Sequence, residues 1–442
     1  MLSTSILQLA WPIFIENFLR ISLTSVDVFQ LSLFSSDAAA AVGLINSFTF
    51  FIVILYQMVT TGASIVISQR LGAKQDRDAA LAGLASVNLV IAFAIVLSAA
   101  VVALASPILS LYTLEPAIRA YARQFLVVYG AGSVFMALNM VQGSIMRAYG
   151  HTREPMYVNI GANVVNILGN FFFLFGPLDA PLKGAMGVAI STVFSQLLAC
   201  VALQILMRRK REIGIRYREA FAVPKRIYKD ILAIGVPTAG ENLSYNLAQI
   251  VNMSFISSLG KAAMQANVYS TTIIRFVFIA SMSIGAATQI KVGHYAGGGE
   301  DDKAYRDVFR YHRIGFCMSL AMACVVNLLK PGILSVFRPD EATLGLCSLI
   351  LLLSIAYEPG RSFNLIIIPG LKGSGDVKFP VLVGIVSMWG VGVAGAYYLG
   401  IVRGMGLVGI YLAMMADEWT RGIIMTLRWK SGAWRGKALA RR

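Results

Sequence analysis

The chain has 442 residues, 57% of them hydrophobic and only 14% charged, with a mean hydropathy of +0.70. A soluble domain of this size carries roughly 25% charged residues, so lipid is the solvent for this fold. The formal net charge of +16 lies in short gaps between apolar stretches, without aromatic interleaving or a nucleic-acid motif, which disfavours a nucleic-acid binder.

Crossing ~30 Å of hydrocarbon takes ~20 mostly apolar residues in a helix. Twelve such spans are predicted, near 5–33, 40–69, 80–105, 117–146, 155–176 and 184–207, then 229–258, 263–290, 305–328, 343–370, 379–400 and 406–427. The first opens on Leu9-Ala10-Trp11-Pro12 and is broken by Glu16, Asn17 and Arg20, so no cleavable signal peptide is expected. Asp27 lies further along the same span, roughly 31 Å in at ~1.5 Å per residue, toward its outer half. An ionisable residue inside a span is costly unless paired or wet, so Asp27 is a candidate for cation coupling. In the fifth span Asn159, Asn163, Asn166 and Asn170 share one helical face. Such a face should look inward, either to a cavity or to neighbouring helices that the amides hold together.

Between the sixth and seventh spans runs Arg208-Arg209-Lys210-Arg211, followed by Arg216, Arg218, Lys225, Arg226 and Lys229. With Arg70, Lys74 and Arg77, Arg147 and Arg153, Lys291, Lys303 and Arg306, and Lys372 and Lys378, this run marks the cytoplasmic gaps and places both termini inside. The seventh span carries Pro237 and Glu241, and Glu16 and Glu241 each stand four residues after a proline. Both Glu-Asn pairs can support a proline kink. Glu16 has Arg20 one turn on, whereas Glu241 has the neutral Tyr245 there, so Glu241 is expected to bind a proton or a cationic substrate. Tyr245 and Met253, with Tyr269, Phe276 and Met282 of the eighth span, are candidates to line a substrate cavity. Arg275 falls mid-span, where an unpaired guanidinium is expensive, and Glu241 or Glu358 is its expected partner. Glu358 and Arg361 are spaced for an intrahelical pair, read as mainly architectural. Asp417, Glu418 and Arg421 are read as an interfacial lock at the inner end of the last span.

The four cysteines (Cys200, Cys317, Cys324, Cys347) lie in apolar segments without ligand spacing, so inert thiols and no metal site are expected. Three histidines without ligand spacing and no nucleophile motif or phosphate-cradling loop argue against an enzyme.

An internal repeat organises the chain. Pro12 through Asn17 recurs as Pro237 through Asn242, Leu71 through Asp76 as Ala296 through Asp301, and Gly150 through Pro155 as Gly375 through Pro380. These pairs share one offset, and Gly184-Ala-Met-Gly187 resembles Gly406-Leu-Val-Gly409. The expected organisation is a six-helix lobe over 1–207, a basic linker over 208–228, a second six-helix lobe over 229–428 and a basic tail over 429–442. Six spans per half make the halves a parallel repeat about an axis along the membrane normal.

The order, spacing and duplication of these motifs resemble the multidrug and toxic compound extrusion (MATE) family, with Val26-Asp27, Gly-Val-Pro237, Glu358 through Asn364 and Asp417 through Gly422 adding to the match. The resemblance implies an all-α polytopic membrane protein, two six-helix lobes in a V, alternating access and export of amphipathic, often cationic compounds by a proton or sodium gradient. It further implies a coupling role for Asp27, with Asn166 and Thr192 as companions in a sodium site. Asn170 stands where that site carries a second carboxylate, which favours a proton. A monomer in the inner membrane is expected, without a cofactor beyond the coupling ion. The alternative function is a flippase for a lipid-linked precursor or lipid.

Overall fold

The computed structural model describes residues 4–110, 112, 114–176 and 183–441, excluding the side chains of 23–25, 27, 28, 46–48 and 50. The described residues form twelve long helices. They are α1 (Ile6–Phe34), α2 (Ser36–Gly72), α3 (Asp76–Ser110), α4 (Pro116–Ala148), α5 (Arg153–Phe175) and α6 (Ala185–Arg209), then α7 (Lys225–Ser258), α8 (Lys261–Gly298), α9 (Asp301–Phe337), α10 (Glu341–Gly373), α11 (Lys378–Val402) and α12 (Gly406–Lys430). Several outrun the predicted spans, because polar turns at the membrane faces continue the same helix. The eighth, predicted near 263–290, runs on to Gly298.

Among the described residues, nine helices are long and apolar enough to cross a membrane by length and composition. α7 and α12 are not among them, and they carry Glu241 and the Asp417, Glu418, Arg421 group. On α3 and α9 only 17% of the most apolar window is buried, and Ile95, Val96, Leu328 and Val336 face outward. Apolar side chains turned out of the fold are what a lipid solvent selects.

The chain divides into two compact units. Unit 1 comprises Ile15–Arg70 and Gln75–Val236; unit 2 comprises Leu2–Phe14, Leu71–Lys74 and Pro237–Arg442. In unit 1, α4 packs against α3 and α6, and α5 against α6. In unit 2, α10 packs against α8, α9 and α12. The α8–α10 crossing is close enough that a Cβ on Gly285 would lie 1.8 Å from the Leu365 carbonyl oxygen. Two six-residue π-helical stretches widen α11, at Met388–Val393 and Tyr397–Val402.

Residues 431–441 fold back onto unit 2. Trp434 is fully buried and stacks on Trp429 with ring centroids 4.0 Å apart. Lys437 and Arg428 hold Asp376 at 2.6 and 2.8 Å, and Arg435 and Arg441 pair with Asp302 and Asp301.

Candidate functional site

In unit 1 the asparagine face of α5 meets three helices. Asn159 donates to Glu16 on α1 at 3.0 Å and accepts from Asn139 on α4 at 3.1 Å. Asn166 donates to the Thr192 hydroxyl on α6 at 3.1 Å, and Thr192 in turn donates to the Val188 carbonyl. Asn170 is buried and donates to Gln30 on α1 at 3.2 Å. Amides at a helical repeat thus hold α1, α4 and α6 around α5. Asn166 and Thr192, two of the cation-site candidates, are hydrogen-bonded to each other. Asp27 belongs to α1, and its side chain lies outside the described residues.

Glu16 binds Arg147 at the end of α4 at 3.0 Å, while Arg20 donates to Asn17 at 2.8 Å. In unit 2, Glu241 binds Lys372 at the end of α10 at 2.5 Å. The two pairs are copies: Glu16 to Arg147 and Glu241 to Lys372 each span 131 residues, and the repeat offset maps one onto the other. Glu241 therefore does not lack a cation, as the neutral Tyr245 beside it led us to expect. Its partner comes from another helix, which sequence neighbours do not reveal. The copies differ in their surroundings. Where Asn159 contacts Glu16, the offset places Gly384, whose missing side chain leaves room only for the Glu241 carboxylate.

Deeper in unit 2, α10 and α12 build a buried charge network. Glu358 is fully buried and meets Arg361 at 2.9 Å. Arg361 also donates to the Tyr357 hydroxyl, lies 3.5 Å from Glu418, and stacks over the rings of Tyr357 and Phe278. Glu418 accepts from Asn364 at 2.6 Å and pairs with Arg421 at 3.2 Å. Arg421 pairs with Asp417 at 2.8 Å, and Asp417 accepts from Ser387 of α11 at 2.6 Å. The first π-helical stretch of α11 sets Gly392 against Asp417. Three carboxylates thus face two guanidiniums, leaving one negative charge in excess when all are ionised.

Asp417, Glu418 and Arg421, read as a lock at the inner end of the last span, are buried on α12, where Glu418 reaches Arg361 and Asn364 of α10. One expectation is corrected. Arg275 pairs with neither Glu241 nor Glu358, both of which other cations have taken, and its side chain is exposed on α8.

A cavity of about 20 Å³, room for one water, is bordered by Tyr245, Gln249, Asn252, Tyr357, Asp417 and Glu418. Asn252 is buried there with its carbonyl oxygen unpartnered, and the repeat offset maps it onto Asp27. Of the five predicted lining residues only Tyr245 borders this cavity. Met253 accepts a bond from Asn267, and Tyr269 stacks on Phe337 in the apolar core. Phe276 and Met282 are half-buried on α8. No group of three or more His, Cys, Asp or Glu side chains able to hold a metal occurs among the described residues.

Sequence reasoning missed Lys372 and Arg147, which read as cytoplasmic charges marking topology, and Asn364 and Ser387, which carry no charge to draw notice. The available signal was the repeat itself, since both cations occupy equivalent positions in it.

Comparison with known proteins bears on the same two halves. The MatE family pattern matches residues 12–172 and again 237–398. The uncharacterized transporter YisQ of Bacillus subtilis (strain 168) is 35% identical over 436 residues, covering 99% of this chain and 96% of that protein. The probable multidrug resistance protein NorM of Thermotoga maritima is 23% identical over 439 residues, covering 99% and 94%. An outward-facing structure of a multidrug resistance MATE family transporter of the MOP superfamily superposes with a TM-score of 0.90 at 19% identity, covering 97% and 96%, which speaks to the fold alone. A pattern found twice across most of the chain, on the two halves that carry the twin ion pairs, shows that the protein belongs to the MatE family of multi-pass membrane transporters.

Proposed function

We propose that the chain is a proton-driven antiporter that exports small amphipathic organic cations by alternating access. In this reading residues 1–207 and 229–428 are its lobes, 208–228 the linker and 429–442 a cytoplasmic tail, with both termini inside the plasma membrane. Relatives named for multidrug resistance support export as the direction of transport. Asp27 is the coupling carboxylate, three residues before Gln30 on α1. Glu241 and Glu16, each held by one cation, couple its charge state to helix position.

The preference for a proton over sodium rests on one position. Asn170, buried and donating to Gln30, stands where the family's sodium site carries a second carboxylate. Sodium would have one carboxylate, not two, to offset its dehydration. A proton needs only Asp27.

The test is reconstitution into vesicles, with ethidium export read under a proton gradient alone and then a sodium gradient alone. A proton gradient alone is expected to drive export, and Asp27→Asn to abolish it while expression stays intact. Export under sodium alone, or wild-type export by Asp27→Asn, would overturn the reading. Translocation of a labelled lipid without ethidium export would identify a flippase.

A further inference from the structure

The segment between α6 and α7 carries nine Lys or Arg residues against two Glu over residues 208–229. Topology signalling accounts for such charge without giving it any role in the folded protein. Two features of the structure go beyond that. Arg209, Arg211, Arg218, Lys225, Arg226 and Lys229 are all exposed, and among the described residues no carboxylate lies within ion-pair distance of them. The nearby acidic groups are engaged elsewhere: Glu212 with His151 at 2.6 Å, Glu154 with Lys210 at 2.9 Å and Asp230 with Arg70 at 3.1 Å.

Between Arg218 and Lys225 in sequence stands Phe221, whose relative exposure is 106%. The turn that carries it is firmly built into unit 1. Asn88 of α3 donates to the Ala220 carbonyl at 2.8 Å and to the Tyr228 hydroxyl at 2.9 Å. Tyr217 donates to Gln204 at 2.8 Å, and Ile213, Val223 and Ile227 are buried on either side. A flexible loop would be free to fold its phenylalanine inward; this one is hydrogen-bonded so that the ring stays out. An exposed aromatic ring flanked along the chain by exposed, unpaired cations, between two long helices, matches the chemistry of a bilayer interface. There the ring sits at headgroup level and the cations meet lipid phosphates.

We propose that residues 208–229 form a docking surface for anionic phospholipid headgroups of the membrane that holds the chain, with Phe221 inserted among them as the apolar anchor. The surface would hold the loop and the adjoining start of α7 against the bilayer.

The test uses the full chain in vesicles of phosphatidylcholine and phosphatidylglycerol, with one or the other lipid brominated. Phe221→Trp reports on its surroundings by emission and bromine quenching, after subtraction of the signal from the unaltered chain. A blue-shifted emission, quenched several-fold more by brominated phosphatidylglycerol than by brominated phosphatidylcholine, is expected. The preference should fade at high salt. In the same background, changing Arg209, Arg211, Arg218 and Arg226 to Gln should abolish the preference, since each cation near an anionic surface contributes roughly a fivefold bias. All these side chains are exposed, so thermal unfolding should match the unaltered chain. Water-like emission without quenching would overturn the proposal and leave the run a topology signal only. Equal quenching by both lipids would overturn its claim on anionic headgroups.

Discussion

The twin ion pairs permit a quantitative comparison within one molecule. Glu241→Gln leaves the Lys372 ammonium, whose side chain is 9% exposed, without its carboxylate. Removing one member of a buried pair costs about 3–5 kcal/mol, mostly for the stranded charge. Glu16→Gln leaves Arg147 at 23% exposure, within reach of water, and the new amide can still accept from Asn159. Pairs open to solvent are worth about 1 kcal/mol or less. For a unit of roughly 200 residues, 1 kcal/mol moves the thermal midpoint by about 2–4 °C. Glu241→Gln should therefore lower the midpoint by on the order of 10 °C, and Glu16→Gln by a few degrees at most. Purified protein in detergent, heated while its tryptophan fluorescence is followed, measures both. The exchange Glu241→Lys with Lys372→Glu restores opposite charges at the same positions and should recover more than half of the loss. Equal shifts for the two single variants, or no recovery in the exchange, would refute the claim that burial separates these otherwise equivalent pairs.

Further expectations follow from other parts of the structure. Trp434→Ala removes a fully buried ring stacked on Trp429 and should cost about 3–5 kcal/mol, whereas Arg441→Gln, half out in solvent beside Asp301, should cost under about 1 kcal/mol; the same melting assay separates them. Gly285→Ala sets a methyl against the Leu365 backbone and should abolish accumulation of folded protein, whereas Gly345→Ala meets open space and should be silent, as read by yield of monodisperse protein. Asp340 caps α10 by accepting from the Thr343 amide at 2.9 Å, and hydrogen bonding from Thr343, its hydroxyl first and its amide second, holds the Asp340 carboxyl below the usual range. Its contribution is therefore complete above the ordinary value of about 3.9 and is lost as pH falls through the lower folded value. Asp340→Ala should speed amide exchange at Thr343 at neutral pH, and Asp340→Asn should not.

Much of the protein is legible in its sequence because lipid imposes a simple rule: backbone polar groups must be satisfied inside each span, so every long apolar run becomes a helix. Twelve runs yielded twelve helices, and the shared offset of the Pro12, Leu71 and Gly150 motifs with their copies marked the duplication that the family pattern matches. The asparagine periodicity on α5 likewise announced a face that packs inward. What no local pattern contained was which charges meet. Arg147 and Lys372 sat in counts of positive loops, yet they reach back to Glu16 and Glu241. Asp417, Glu418 and Arg421 read as a lock at the inner end of the last span, and nothing in the sequence announced that Glu418 would meet Arg361 and Asn364 of α10. Arg275 was assigned a partner on grounds of cost, and both candidates had stronger claims on them. Helix formation depends on neighbours within a few residues, whereas pairing depends on side chains more than a hundred residues away converging on one spot. Only the packed tertiary structure decides that.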